Sequence, residues 1–411
     1  MSLSDKIFDA AIIGGGVVGC AVVFELSRQG YTCILLERAQ NIMSEASAGN
    51  SGMLHTGFDA PLHSLEQHCI KTSQKTVFDI INKFNIPYRK CGATLVAWTE
   101  EENKKLPDLR QQSHEADIHD VNLMSLTDLH KSEPYLRKEA VGALNIPGEC
   151  VIDSYLLGLS YAHQARMLGS KICTSCEVFG MSHGTLITSL GPVHCKMTIN
   201  CAGLYGDIVD QLAGIDTFRI YPRKGQYCVF GKNASPLLKS IIFPVPTEKS
   251  KGIALFNSVY DNVMMGPTAQ DSIELSRPAS DPKVHWMLTQ KAQWLIPDLA
   301  TFLPVGHYVG VRPATQLKDY QIRTYPHKRW ITVGGIRSTG VSGSLGIAQY
   351  VCERLQSDIG LEPERGATNH LLDMAWSFGE DKTSVTLNGY HYPILHPMVL
   401  YGQDSMMTSK L

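Results

Sequence analysis

Three glycines near the start of the chain have the spacing of a phosphate-binding turn. Gly14, Gly16 and Gly19 stand at G-x-G-x-x-G spacing directly before an apolar helical pattern, and Glu37 follows the next apolar run. In such a unit the first glycine forms a tight turn, the second lets the backbone approach a pyrophosphate, and the third lets helix and strand pack closely. The helix N-terminus offers N–H groups and a positive dipole end to the phosphates. The spacing predicts dinucleotide binding; the alternative is an ordinary βαβ turn that happens to carry glycines.

The elements that position these glycines form a compact βαβ unit. Residues 7–13 and 32–36 are apolar runs of strand length on either side of the helical pattern. Glu37, at the end of the second predicted strand, is placed to accept hydrogen bonds from a ribose 2′-OH. Because a carboxylate there disfavours a ribose 2′-phosphate, the residues disfavour NADP and predict the adenosine end of FAD or NAD.

The composition is that of a globular protein with room for two domains. Of the 411 residues, 44% are hydrophobic and 18% are charged, which is enough apolar material for two intertwined domains with large cores. The formal net charge of −2 gives no indication of binding to nucleic acid or to an anionic membrane surface. The sequence predicts neither an N-terminal signal peptide nor a transmembrane segment.

The eleven cysteines are scattered along the chain. Several lie in apolar runs, which favours reduced, buried thiols over a disulfide framework. Cys173 and Cys176 form a C-x-x-C in an alternating segment, but no second pair and no histidine cluster follows at the spacing of metal ligands. We interpret both as strand cysteines and predict no metal site.

The last three residues, Ser409, Lys410 and Leu411, match the peroxisomal address S-K-L. They end a segment, GQDSMMTSKL, that has no apolar periodicity. We predict location in the peroxisome, or in a related microbody such as a glycosome, and recognition by the peroxisomal import receptor. A chance match is the alternative.

A second glycine-rich turn lies far along the chain. The segment RWITVGGIRSTGVSGSLGIAQYVCERL predicts a strand, a glycine-rich turn and a helix that begins near Gly340. Two backbone N–H sites so far apart suit a long, two-ended ligand, which favours FAD over NAD. A helix N-terminus that faces a flavin stabilises the negative charge of the reduced ring.

The order of elements predicts an α/β fold, in which a doubly wound FAD-binding (Rossmann-like) domain carries an inserted antiparallel β-sheet substrate domain. Strands at 173–179 and 197–201 are assigned to the first domain, and a block of alternating strands at 218–325 to the second. The predicted FAD-binding domain comprises residues 1–90, 140–215 and 326–358, the substrate domain residues 91–139 and 216–325, and the C-terminal tail, with the peroxisomal signal, residues 359–411.

A set of motifs runs in a recognisable order between residues 7 and 356: AIIGGGVVGC, NSGMLHTG, EPYL, ALNIPGECVID, INCAGLYGD, PRKGQY, GPTA, GVRPAT and GIRSTGVSGSLGIAQYV. With these motifs the chain resembles the D-amino-acid-oxidase-like (DAO) superfamily of FAD-dependent oxidoreductases. Within it, the chain is most similar to glycerol-3-phosphate dehydrogenase-like proteins and their L-2-hydroxyglutarate oxidase relatives. The set is far more specific than the glycine spacing alone.

The resemblance implies contacts along the whole length of FAD. The positions that match the ADP half are Gly14, Gly16, Gly19, Glu37 and Arg38, with the main chain of Val178 at the adenine. The positions that match the flavin half are Ser47, Asn50, Ser51, Gly52 and Met53 along the ring, Ala202 and Gly203 under the cofactor, and Gly340, Val341 and Ser342 over the ring.

The resemblance also implies groups that bind the substrate. Arg312, in GVRPAT, matches the arginine that binds the substrate's acid group in relatives. An arginine in an apolar strand is costly to bury unless a carboxylate or phosphate pairs with it; a structural ion pair is the alternative. Arg337 is a candidate for substrate or flavin contact. Tyr227 and Lys224, in PRKGQY, are assigned either to the substrate side or to the strand surface.

His55, in NSGMLHTG, is the candidate base. Oxidation of a CH–OH carbon by a flavin requires hydride transfer to N5 and removal of the hydroxyl proton, and a histidine near the ring suits the second task. The alternatives are a loop-packing histidine and, from the resemblance, a histidine tethered to the flavin. His307 is a weaker second candidate for the base.

These residues predict an FAD-dependent oxidoreductase that acts on glycerol 3-phosphate or on an L-2-hydroxy acid such as L-2-hydroxyglutarate. The segment HTGFDAP lacks the arginine that follows the motif histidine in glycerol-3-phosphate dehydrogenases, and IRSTGVSG stands where those enzymes carry a lysine and a threonine that help to bind phosphate. Both differences weaken the case for a phosphate. The L-2-hydroxyglutarate enzymes lack the GIRSTG form, so both substrates stay open. Amino- or imino-acid oxidation and a non-catalytic flavin-binding module are the alternatives. No cysteine follows Cys352, which removes an obvious electron relay and favours a diffusible acceptor such as O₂.

Overall fold

The structure of the chain is a computed structural model that describes residues 6–182, 184–247, 252–275, 279–368 and 370–403. Its strands are β1 (Ile7–Ile13), β2 (Cys33–Leu36), β3 (Met53–Leu54), β4 (Tyr88–Arg89), β5 (Ala93–Ala97), β6 (Asn122–Met124), β7 (Gly142–Ile146), β8 (Cys150–Ile152), β9 (Lys171–Cys173), β10 (Val178–Ser182), β11 (Thr185–Thr188), β12 (Gly191–Asn200), β13 (Ile220–Phe230), β14 (Ile241–Pro244), β15 (Ala254–Asn257), β16 (Val263–Gly266), β17 (Gln270–Asp271), β18 (Pro304–Thr315), β19 (Gln321–Tyr325), β20 (Trp330–Gly334), β21 (Trp376–Phe378), β22 (Ser384–Leu387) and β23 (Tyr390–Pro393). Its α-helices are α1 (Val17–Arg28), α2 (Leu65–Gln74), α3 (Val77–Lys83), α4 (Glu100–Asn103), α5 (Leu106–Glu115), α6 (Leu126–Ser132), α7 (Ser154–Met167), α8 (Gly206–Leu212), α9 (Pro282–Leu295), α10 (Gly340–Arg354) and α11 (Pro397–Gln403).

The first sheet is an eight-stranded mixed sheet built around β1. Its main order is β10-β11-β12-β1-β2-β9, with β20 beside β12 and β19 beside β20. β1 pairs in parallel with β2 and β12, and β12 pairs in parallel with β20. Helix α1 packs against α7 and α10, and apolar residues of these helices share one core with β1. The predicted doubly wound, Rossmann-like domain is confirmed.

One predicted strand of this sheet was wrong. The segment 173–179 is not a single strand, because β9 ends at Cys173 and β10 begins at Val178. Between them the chain turns through Ser175, whose φ is 53°, and the Cys176 N–H donates to the Glu37 carbonyl at 2.8 Å. The C-x-x-C therefore spans a turn, and both thiols are free.

The second sheet has nine strands in the order β17-β13-β16-β15-β14-β5-β7-β6, with β18 also paired to β13. The long β13–β18 pair is antiparallel, as are the other described pairs except β14–β5, which is parallel. The predicted antiparallel substrate domain is thus confirmed apart from that pair. The block 218–325 was predicted as strands only, and this was wrong, because helix α9 lies inside it. Asp281 caps it and Pro282 begins it, and both are helix-start signals that the prediction passed over.

The strand pairings place two segments in a different domain from the one that the sequence predicted. β7 was placed with residues 140–215 in the FAD-binding domain, but it pairs along its whole length with β5 of the second sheet. β19 was placed with residues 216–325 in the substrate domain, but it forms a hairpin with β20 of the first sheet. In both cases the hydrophobic pattern located the strand correctly. The sheet to which a strand belongs depends on its pairing partner, and the hydrophobic pattern does not identify that partner.

The described residues between 370 and 403 form strands and a helix, whereas the sequence predicted a tail over 359–411. Strands β21, β22 and β23 form a three-stranded sheet, and buried Val385, Leu387 and Val399 join the core of the first domain. Helix α11 reaches the second domain, because the Tyr401 hydroxyl exchanges hydrogen bonds with the main chain of His307 at 3.1 Å. Ser409, Lys410 and Leu411 lie outside the described residues, so the peroxisomal location and the import receptor stay predictions.

A buried carboxylate joins the strands that lead into the site. Asp210 of α8 accepts hydrogen bonds from Asn200 on β12 (2.7 Å) and from Trp330 and Thr332 on β20 (2.8 Å each). Burial raises the pKa of Asp210. These bonds connect α8 to the parallel strands β12 and β20, and each donor would otherwise be buried without a partner.

Asp210→Asn is expected to lower the thermal midpoint by a few degrees. The amide presents N–H groups to donors and leaves at least one of them unsatisfied, at about 1–3 kcal/mol. Asp216→Asn is the control: that exposed carboxylate pairs with Arg219 on the surface, where solvent screens an ion pair and its contribution to stability is small. Differential scanning calorimetry measures both. Equal midpoints for the two variants would contradict a bracing role for Asp210.

Among the described residues, no helix is long and apolar enough to cross a membrane, and no group of three or more His, Cys, Asp or Glu side chains is placed to hold a metal ion.

Candidate active site

The first glycine turn leaves no room for side chains. Gly14 has φ 106°, and a Cβ there would lie 2.5 Å from the carbonyl oxygen of Cys201. A Cβ at Gly19 would lie 1.9 Å from the carbonyl oxygen of Gly14. Helix α1 follows, with Gly16 at its N-cap and no acidic residue in its first turn. The turn therefore presents backbone and the positive end of a helix, which is the arrangement that receives a pyrophosphate.

The predicted ADP contacts lie around this turn. Glu37 is buried, and its carboxylate accepts the N–H groups of Gly15 (2.6 Å) and Ala39 (2.8 Å). Arg38 stacks on the ring of Tyr205, with its guanidinium carbon 3.6 Å from the ring centroid, and pairs with Glu45 at 3.3 Å. Glu37 thus ties the turn to the end of β2. The ribose contact of Glu37, and the adenine contact of Val178 at the start of β10, stay predictions.

The loop of residues 44–56 is held by Asn50. The Asn50 amide donates to the Ser47 carbonyl (2.7 Å), while its oxygen accepts the Gly52 N–H (2.7 Å) and the Ser154 hydroxyl (2.8 Å). Tyr308 of β18 donates to the Asn50 carbonyl at 2.9 Å. These bonds fix the loop between the two domains. Asn50 therefore shapes the loop that the resemblance assigns to the flavin.

The second glycine turn leads into α10, as predicted. The N-cap residue Thr339 donates to the Glu66 carboxylate at 2.7 Å, and the first turn of the helix has no acidic residue. The Ser342 hydroxyl in that turn accepts the main-chain N–H of His55 at 2.8 Å. The start of α10 and the 44–56 loop are therefore directly connected.

Both glycine turns open into one cavity of about 510 Å³. The predicted site residues that line it are Gly16, Ser47, Asn50, Ser51, Met53, His55, Gly203, Tyr227, Arg312, Arg337, Gly340 and Val341. The other predicted residues are not part of the described lining: Gly14, Gly19, Glu37, Arg38, Gly52, Val178, Ala202 and Ser342. The N-termini of α1 and α10 lie side by side at this cavity, since a Cβ at Gly340 would lie 3.8 Å from the side chains of Val17 and Val18. The arrangement fits FAD, whose pyrophosphate would bind at Gly16 and whose ring would lie near Gly340.

His55 is paired with a carboxylate that the sequence analysis did not identify. Its Nδ1 lies 2.7 Å from Oε2 of Glu149, a side chain with no exposed surface, whereas 23% of the His55 side chain is exposed. Oε1 of Glu149 accepts the N–H and the hydroxyl of Thr56, both at 2.8 Å. One signal for Glu149 was available: it is an acidic residue between the apolar strands β7 and β8, and a buried carboxylate needs partners.

Arg312 points into the cavity from β18. Its Nη2 donates to the Thr268 carbonyl at 2.5 Å, and its buried Nε has no partner among the described residues. Burial, together with the positive charge of Arg223, lowers the pKa of Arg312. The structural ion pair considered as the alternative is not present among the described residues. A half-buried guanidinium whose Nε has no partner there is suited to bind an anionic ligand.

Arg337 and Tyr227 line the same cavity at other points. Arg337 donates to the carbonyls of Leu317 and Thr315, and its Nε has no partner among the described residues. Tyr227 stacks on Tyr308, with ring centroids 4.3 Å apart. Burial raises the pKa of Tyr227 to about 12. Arg337 thus keeps one donor for a ligand, whereas Tyr227 forms a wall.

Lys224 and His307 lie outside the described lining of the cavity. The residues of β13 that line it are 223, 225 and 227, so the alternation of a strand turns Lys224 to the other face, where it donates to the Ala279 carbonyl. His307 is exposed and stacks on His285, with ring centroids 3.9 Å apart. Arg223 and Lys318 also line the cavity, and the sequence analysis assigned neither of them to it.

Several known proteins are similar to this chain in sequence and fold. Residues 9–354 match the family model of the DAO, FAD-dependent oxidoreductases. The chain is 29% identical to a glycerol 3-phosphate oxidase of Mycoplasma pneumoniae, over 86% of this chain and 96% of that protein. It is 28% identical to an L-2-hydroxyglutarate dehydrogenase of Bos taurus, over 65% of this chain and 62% of that protein. The solved structure of the L-α-glycerophosphate oxidase of M. pneumoniae with FAD bound is similar with a TM-score of 0.79 and 28% identity, over 90% of this chain and 96% of that one. The chain belongs to the DAO family of FAD-dependent oxidoreductases, and FAD is its cofactor.

Proposed function

We propose that the chain oxidises the CH–OH carbon of glycerol 3-phosphate, with an L-2-hydroxy acid such as L-2-hydroxyglutarate as the second candidate. The observation that carries the proposal is one cavity lined both by His55, which is paired with the Glu149 carboxylate behind it, and by the half-buried guanidinium of Arg312, whose Nε has no partner among the described residues. The pair serves proton removal, and the guanidinium serves recognition of an anion.

Bound FAD supplies the acceptor of the hydride at N5. The chain supplies the other parts of the reaction. Arg312 binds the acid group and so orients the carbinol carbon. His55 takes the hydroxyl proton on a ring nitrogen, because an alcohol does not lose its proton to water near neutral pH. Tyr227, which is buried and lines the cavity, limits the access of water to it.

The charges of the cavity favour a phosphate. Its cationic lining residues are Arg223, Arg312, Lys318 and Arg337, and its acidic ones are Asp59 and Glu66. Because Arg223 is already paired with Asp271, three further cations face two carboxylates. A phosphate monoester carries close to two negative charges at pH 7, whereas a carboxylate carries one. The relative named as a glycerol 3-phosphate oxidase also matches a larger share of this chain than the hydroxyglutarate dehydrogenase does.

The proposal is tested by anaerobic reduction of the bound flavin. Glycerol 3-phosphate is expected to bleach the flavin absorbance within seconds, L-2-hydroxyglutarate more slowly, and L-lactate and amino acids not at all. Admission of air, with peroxide measured, tests O₂ as the diffusible acceptor. Bleaching by an amino acid alone would favour amino-acid oxidation. If none of these compounds reduces the flavin, the proposed function is wrong.

A further inference from the structure

We propose that Glu149 is a positioning residue that sets the orientation and tautomer of His55, and so makes the ring nitrogen Nε2 the base. This inference rests on the proposed function, because it assigns the chemistry of His55 to one of its two nitrogens. Glu149 contacts the histidine and not the substrate, so it acts through His55.

Contacts other than the one with His55 hold the Glu149 carboxylate in place. It follows the turn after β7, and its main-chain carbonyl accepts the Gly92 N–H at 2.9 Å. Oε1 is occupied by two donors of Thr56, at 2.8 Å each. Oε2 is therefore the oxygen left to accept from the ring, and it lies 2.7 Å from Nδ1 of His55.

The main chain of His55 is held independently of its ring. The N–H of His55 donates to the Ser342 hydroxyl at 2.8 Å, and its carbonyl accepts from the Gln74 amide at 2.9 Å. These bonds fix the position of the residue and leave rotation of the ring to be set by other contacts. Since an ionised carboxylate only accepts hydrogen bonds, Nδ1 must donate, and the lone pair of the neutral ring is then on Nε2.

Glu149 can be compared with Glu133, which shows what a buried glutamate with a purely structural role looks like in this protein. That carboxylate is also buried, and it accepts the N–H and hydroxyl of Ser240 (2.6 and 2.7 Å) and the N–H of Lys239 (3.1 Å). Glu133 thus ties two segments together with donors of the same kinds and without a histidine. What distinguishes Glu149 is that one of its oxygens is used by an imidazole that lines the cavity.

Glu149→Gln is the test, made in the FAD-loaded enzyme with glycerol 3-phosphate. We expect kcat to fall about 10²–10³-fold, because the amide allows the wrong tautomer and no longer compensates the charge of the protonated ring. KM is expected to change less than about threefold, and the bound FAD not at all. The acid limb of the kcat/KM profile is expected to move to lower pH, because a neighbouring negative charge favours the protonated ring.

Other charged groups line the same cavity, namely Asp59, Glu66, Arg223, Arg312, Lys318 and Arg337. They are the same in the wild type and in the variant, so a difference between the two profiles belongs to Glu149. Glu133→Gln is the matched control, and it is expected to lower the thermal midpoint while leaving the shape of the pH profile unchanged. Equal loss of kcat at every pH in Glu149→Gln, or loss of FAD, would assign Glu149 a structural role and overturn the proposal.

A readout without substrate separates this proposal from the proposed function. In protein labelled with ¹⁵N-histidine, the His55 signals are assigned by their loss in His55→Gln. We expect the protonated nitrogen of the neutral ring to be Nδ1 in the wild type and a mixture in Glu149→Gln. If the wild-type ring is protonated on Nε2, the inference fails even when glycerol 3-phosphate reduces the flavin. If the tautomers are as expected and no substrate reduces the flavin, the proposed function fails alone.

Discussion

Replacement of Arg312 by methionine is expected to raise the KM for glycerol 3-phosphate by two to three orders of magnitude while FAD stays bound. Loss of one partner of a buried, hydrogen-bonded charge pair costs about 2–5 kcal/mol, and each 1.4 kcal/mol is about a factor of ten. Methionine fills a similar length of the cavity and adds no charge. Steady-state kinetics give KM, and flavin absorbance after desalting gives the FAD content.

Arg223→Met is the matched control for Arg312. Arg223 lies directly opposite Arg312 in the β13–β18 register and lines the same cavity, but its guanidinium is paired with Asp271 at 2.9 Å and is more than one-third exposed. We expect its replacement to change KM less than tenfold, since a screened, already paired cation contributes little. Loss of FAD from Arg312→Met would show that Arg312 holds the cofactor, against the role assigned to it here.

Gly19→Ala is expected to abolish FAD binding. The added methyl group would lie 1.9 Å from the Gly14 carbonyl oxygen, so helix α1 or the turn before it must shift, and either shift moves the N–H groups that receive the pyrophosphate. We expect less than about one-tenth of the wild-type FAD content. Added FAD should no longer raise the thermal midpoint, because a ligand stabilises only the state that binds it.

Gly206→Ala provides the comparison for Gly19→Ala in the same domain. A Cβ at Gly206, the first residue of α8, would meet only the ring of Phe218 at 3.9 Å, which is ordinary van der Waals contact. This variant is expected to keep its FAD. Full FAD content in Gly19→Ala would mean that the turn relaxes without cost and that close packing at this glycine is not required.

The nucleotide half of the site was predictable because its parts are close in sequence. Gly14 to Glu37 span one βαβ unit, in which each residue has its role from local geometry. The substrate half joins distant segments: Glu149 meets His55 across 94 residues, and Ser342 meets it across 287. No spacing rule connects such positions, so the sequence indicated His55 and Arg312 as candidates and did not reveal their partners.

Strand pairing limited the prediction of the domains in the same way. The apolar runs of β7 and β19 were recognised as strands, but the sequence of a strand does not indicate which sheet it joins. Helix α9 was missed because prolines and alternating strands surround it. Its apolar residues Val284, Leu288 and Leu295 nevertheless follow a helical spacing behind the Asp281 cap.

Helix α11 lies beyond the family match and packs against residues of both domains. The family match ends at residue 354, yet a Cβ at Gly52 would lie 2.7 Å from the Met398 side chain, and Lys232 of the second domain donates to the Gly402 carbonyl at 2.5 Å. A chain cut at the end of the match would keep every motif and lose the packing behind the 44–56 loop. The packing of the 44–56 loop therefore depends on residues beyond the end of the family match.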